Sequence, residues 1–179
     1  MTTTRWPTVL YALLDTLRAQ PGYRSPGADV PESLVLVLDG PEWEMTADTG
    51  DLYLVVGGSI DDESTSGDAR QKWGPIGGRP RDDEGTVLCQ AVAQLGGLSL
   101  PDASLAGSVP QDTWRSLTAS AFAMIATVEN ILRADPALGI TGVQRMVAEL
   151  GSVDAPHRYF TDTGAVVSIL FGVDYKTRI

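Results

Sequence analysis

One cysteine, one histidine and a shortage of positive charge set the first limits on this chain. With Cys89 alone, no internal disulfide can form, and the composition fits a reducing compartment. With His157 alone, a Ser-His-Asp or Cys-His arrangement would have to be built around that residue. Its surroundings, Ala155-Pro156-His157-Arg158-Tyr159-Phe160, read as loop, and no Gly-x-Ser-x-Gly elbow occurs. Against 23 Asp and Glu stand 13 Lys and Arg, a formal charge of -10, which disfavours a general nucleic-acid phosphate binder and describes a surface that repels DNA. No apolar run is long enough to span a bilayer, and Met1 to Trp6 lacks the apolar stretch of a signal peptide. The expectation is a soluble, unexported protein without a membrane partner.

The same scarcity bears on cofactors and metals, of which none is expected. Gly74, Gly77 and Gly78 lack the Lys and the following helix start of a phosphate-binding loop. Asp61, Asp62, Glu63 and Asp68 miss the spacing of a calcium loop, with Gly67 misplaced, and read as a solvated, repelling segment. Cys89 lies in an alternating apolar run and reads as a buried structural thiol rather than a nucleophile. No catalytic residue emerges.

What is present is a pattern of elements suited to one domain over residues 1–179, long enough to bury roughly 70% of the surface its unfolded form exposes. Leu10, Leu13, Leu14 and Leu17 share one face of a helix predicted over 7–20, with Pro7 at its start and Pro21-Gly22 at its end. Strands follow near 34–38 and 52–56; the first lacks alternation and is expected to be covered on both faces. Residues 57–85 turn polar and Gly/Pro-rich and read as an extended arm. Residues 86–95 permit a strand or a short helix. Ser108-Val109-Pro110-Gln111 has capping-box spacing ahead of a helix over 109–134, whose apolar face carries Trp114, Leu117, Ala121, Met124, Ile125, Val128, Ile131 and Leu132. Residues 143–153 suit helix or strand. Ala165, Val167, Ile169, Phe171, Val173 and Tyr175 then mark one face of a long terminal strand, either central in its sheet or an edge open to a neighbour. This order predicts an α+β fold, a mainly antiparallel sheet with two principal helices on one face and a long polar arm.

Several phrases carry a family resemblance: Leu38-Asp39-Gly40-Pro41 and Val56-Gly57 at strand ends, and Arg79-Pro80-Arg81 in the long loop. Leu132-Arg133-Ala134-Asp135-Pro136-Ala137-Leu138-Gly139 closes the long helix, and Gly164-Ala165 opens the terminal strand that runs through Phe171-Gly172-Val173-Asp174-Tyr175. In these phrases and in its first amphipathic helix the chain resembles the tail terminator family of long-tailed bacteriophages. The resemblance implies a non-enzymatic virion protein, made in the host cytoplasm, that forms a hexameric ring on the tail tube, stops tube growth and offers the head-docking surface. Its implied partners are copies of itself, the tail-tube protein and a head-side connector or stopper, with DNA only passing through the channel. Two other readings stay open: another neck or connector protein of the head-tail interface, and a small cellular binding domain or metal-dependent enzyme using the acidic arm.

A ring needs head-to-tail contacts, and besides the sheet edge, for which the terminal strand is a candidate, two segments could make them. One is the arm, where Arg70, Lys72, Trp73, Arg79 and Arg81 place cations beside an aromatic residue, both favoured as interface anchors. The other is the small-residue face of the long helix around Ala119, Ala123 and Thr127. Asp61, Asp62 and Glu63 are candidates for the channel surface, where they would repel DNA phosphates.

Overall fold

The computed structural model describes residues 5–25, 35–40, 52–58, 67–72, 82–96, 109–143, 145–161 and 164–178. Helix α1 spans Trp6–Arg18; strands β1 (Tyr23–Arg24), β2 (Val35–Asp39), β3 (Leu52–Val56), β4 (Gly67–Lys72) and β5 (Asp82–Gly96) follow. Helix α2 (Gln111–Ala134) precedes β6 (Arg145–Val153), β7 (His157–Thr161) and β8 (Gly164–Arg178). The strands form a single sheet ordered β1-β2-β3-β5-β8-β6, with β4 also on β5 and β7 also on β8. Only β1–β2 and β2–β3 are parallel among the seven pairings, so the sheet is mainly antiparallel.

Its centre is the pairing of β5 with β8, each 15 residues long and in register from Asp82 opposite Arg178 to Gly96 opposite Gly164. At about 3.4 Å per residue this pair runs for about 50 Å. Each flank is filled in two stages. β3 and β4 follow one another along β5, while β6 and β7 follow one another along β8, with a register shift between Leu150 and Val153. The terminal strand is therefore central, and the possibility that it forms an edge is excluded.

Both helices lie on one face. Val9, Leu10, Leu13, Leu14 and Leu17 of α1 and seven of the eight predicted apolar residues of α2 pack in one cluster with Val87, Cys89, Ala91 and Ala93 of β5 and the Ala165 to Tyr175 face of β8, while the eighth, Trp114, is half-buried against it. Val35 and Val37 of β2 join that cluster, whereas Leu36 and Leu38 join Tyr53, Val55, Val92 and Val166 on the other face; β2 is buried on both sides, as its unbroken apolar run implies. Gly57 ends β3 with φ +86°, and a Cβ there would lie 2.7 Å from Leu10 Cδ1. Glycine is what permits this turn directly beneath α1.

Several expectations are corrected. The region 57–85 is not wholly an arm, because Gly67–Lys72 pairs antiparallel with Asp82–Val87 and its backbone groups are used as a sheet ladder. His157 opens a strand rather than sitting in a loop, because β8 supplies it with a partner, Ser168. The ambiguous segment 143–153 is strand from Arg145 onward, with Met146 and Ala148 turned into the helix-side core. The helix predicted from 109 begins at Gln111, with Pro110 as its N-cap and no side-chain capping bond there, while Ser108 of the expected capping box lies outside the described residues.

Two anchors come from residues distant in sequence. The N-cap of α1, Arg5, donates its backbone N–H to the fully buried Asp83 carboxylate of β5 at 2.6 Å, and the Trp6 indole N–H donates to the Thr86 carbonyl at 3.2 Å. A carboxylate at a helix N-terminus satisfies an orphan donor and complements the helix dipole. At the other helix, Asp135 accepts from Ala137 N–H and Gly139 N–H, shaping a turn in which Leu138 and Gly139 both take positive φ. The Pro136 carbonyl of that turn accepts from Ala148 N–H at 2.8 Å, closing the outer edge of β6 at that point. This edge is thereby guarded against strand addition.

Candidate interaction surfaces

The exposed side of α2 is uncharged from Ser116 to Val128 and flanked by ion pairs, Arg115 with Asp112 before it and Arg133 with Glu129 after it. Ala119 and Ala123 are exposed, and Phe122 beside them is 42% exposed. Thr127 differs from these two alanines. It is half-buried, its hydroxyl donates to the Ala123 carbonyl at 3.0 Å, and it is hydrogen-bonded to the Tyr23 phenol. Burial raises the Tyr23 phenol above its ordinary value, an effect that the bond with Thr127 partly opposes. Thr127 thus ties α2 to the β1 edge, leaving Ala119, Phe122 and Ala123 as the free part of the face.

Phe122 was not among the candidates read from the sequence, although its position was legible there: it lies one residue from Ala123 and outside the apolar repeat that faces the sheet. An exposed aromatic among alanines gives this helix an anchor with low relief around it.

For the arm, Arg70 and Lys72 stand in β4 opposite Glu84 and Asp82 of β5. Trp73, Arg79 and Arg81, and the acidic Asp61, Asp62 and Glu63, lie outside the described residues.

A second surface lies at the far end of the β5–β8 pair, on the face away from the helices. There Asp82, Glu84 and Thr86 of β5, Asp174, Lys176 and Arg178 of β8, and Arg145, Val147 and Glu149 of β6 surround an open cavity of about 720 Å³. Its ion pairs are long, with Lys176 Nζ 3.9 Å from Glu84 and Arg178 Nε 3.9 Å from Asp82, and the Thr86 hydroxyl donates to Asp174. Exposed pairs of this kind contribute little to stability.

Neither His157 nor Cys89 is brought to a reactive constellation among the described residues, where no group of three or more His, Cys, Asp or Glu converges. His157 is exposed and packs its ring against Tyr159, with centroids 5.2 Å apart. No described helix is long and apolar enough to cross a membrane.

Cys89 is buried in the helix-side core, where desolvation, only partly opposed by the hydrogen bond from the Gly57 backbone, pushes its thiol up from 9.0 to about 12. The unfolded chain loses this proton near pH 9 and the folded chain holds it to about pH 12. Over that interval the unfolded state binds fewer protons, so stability is full below pH 9 and falls as pH rises, by up to about 4 kcal/mol. Urea denaturation across this range should show the fall in the wild type and a shallower one in Cys89→Ala. Equal slopes would show that the thiol does not contribute.

Compared with known protein families and with curated proteins, the chain matches none.

Proposed function

We propose that this protein is a structural component of a bacteriophage tail, a terminator that assembles as a ring of six on the end of the tail tube, halts its growth and presents the surface to which the head docks. The reading begins from the resemblance of the chain's element order and short phrases to that family. The observation that carries it is the free face of α2: in a chain of charge -10, a helix whose inner side is fully used for the core also presents an uncharged outer strip centred on Ala119, Phe122 and Ala123. Small side chains let a neighbour approach closely, and an aromatic among them supplies buried area. In this reading the protein performs no catalysis, and Asp61, Asp62 and Glu63 face the channel through which DNA passes.

The test uses the full-length protein with the tail-tube protein of the same virus. Mass photometry and negative-stain electron microscopy should show caps of six subunits on tube ends, and tubes polymerised in its presence should stop lengthening. Tubes that grow unchanged and carry no caps would overturn the reading. Rings that form but ignore the tube would move the protein to another position in the neck.

A further inference from the structure

The charged face at the end of the β5–β8 pair has an order that its own fold does not require. Register places Arg145 directly opposite Arg178, and Glu149 directly opposite Asp174, with Val147 opposite Lys176 between them. Like charges in directly opposed positions of an antiparallel pair disfavour that pairing. Compensation inside the chain is partial. Arg178 reaches Asp82 only at 3.9 Å, and Asp174 receives the Thr86 hydroxyl. Arg145 and Glu149 are both exposed, and neither makes an ion pair or hydrogen bond among the described residues. A basic pair and an acidic pair therefore stand four residues apart on one strand, about 14 Å at 3.4 Å per residue.

Such a surface is complementary to itself after half a turn. We infer that this face pairs two copies of the chain, sheet against sheet, about a two-fold axis lying along the row of Glu84, Lys176 and Val147. Arg145 and Arg178 of each copy then meet Glu149 and Asp174 of the other, twice over by symmetry. On the axis each residue stands over its own counterpart, so Lys176, which keeps its own Glu84 at 3.9 Å, lies over the other copy's Lys176 and diagonally across from its Glu84. The cavity of about 720 Å³ between these side chains, with Gly85 and Thr86 among its lining, gives room for the long side chains of the second copy to interdigitate. A second copy is the occupant because an isologous contact needs one patch carrying both signs in this order, and this patch does. The inference does not depend on the tail reading, and it uses a different face from α2.

Analytical ultracentrifugation of the full-length protein tests it. The wild type should form a dimer at low salt that dissociates at high salt, since exposed ion pairs are screened. Arg145→Glu and Glu149→Arg should each weaken the dimer by about tenfold or more, because each places like charges against the other copy at both symmetric contacts. Each swap also removes a like-charge pair within its own chain, so melting temperatures should hold or rise, which separates lost association from lost folding. Combining both swaps in one chain should restore the dimer. So should mixing the two single variants, neither of which pairs alone. A wild type that stays monomeric at low salt overturns the inference, as does a single swap that dimerises normally or a failure of both rescues. Six-membered rings that resist both swaps would also overturn it, since they would show assembly through α2 with this face unused.

Discussion

Phe171→Ala should lower stability by about 3–5 kcal/mol, a large part of the roughly 5–15 kcal/mol by which a domain is ordinarily stable. Phe171 is 1% exposed on the helix-side face of β8, the strand flanked along its length by β5 on one side and by β6 and β7 on the other. Its register partners are Cys89 on β5 and Val153 on β6, and it belongs to the cluster that joins both helices to the sheet. Truncation there removes apolar contact and leaves a cavity that the paired backbones on both sides cannot close by shifting. Urea denaturation of purified protein measures the loss through the midpoint. A decrease under about 1 kcal/mol would mean that the helices relax into the space, and that the central pair is less rigid than its unbroken register implies.

Ala123→Arg should have the opposite signature: little change in the isolated chain and loss of assembly. Ala123 is exposed on α2, where arginine is nearly as good a helix former as alanine, so the stability of the single chain should move by under about 0.5 kcal/mol. In a ring closed through this face, the added side chain would separate surfaces that alanine lets approach and would place a charge where the strip has none. Caps on tail tubes should be absent by electron microscopy, while circular dichroism and melting remain those of the wild type. Normal capping by this variant would place the subunit contact elsewhere. Unfolding would mean that the face is packed within the chain.

Much of this architecture was legible in the sequence because it depends on local periodicity. Leu10, Leu13, Leu14 and Leu17 recur at helical spacing, and all four are buried on α1. The alternation from Ala165 to Tyr175 specifies a strand face that proves to be core throughout. The run at Val35 to Leu38 lacks alternation, and both of its faces are buried. A period of 3.6, a period of 2 and no period at all report which sides of an element avoid water, and side-chain composition suffices for that.

Pairing between distant segments was decided only by the tertiary structure. β4 is polar and has no apolar repeat, so its strand character comes from the ladder that β5 offers rather than from Asp68, Arg70 or Lys72. The parallel β2–β3 pairing and the central place of β8 depend on how connections route the chain through space, which composition does not encode. The Asp83 cap lies 78 residues from Arg5, and no local signal relates them. The same holds for the surfaces. Thr127 looked equivalent to Ala119 and Ala123 until folding brought Tyr23 to it. Arg145, Glu149, Asp174 and Arg178 are unremarkable along the chain and become two like-charged pairs only when β6 and β8 align. Burial is a property each segment advertises by itself, whereas register and juxtaposition are properties of pairs of segments, settled by the contacts that the whole chain can satisfy at once.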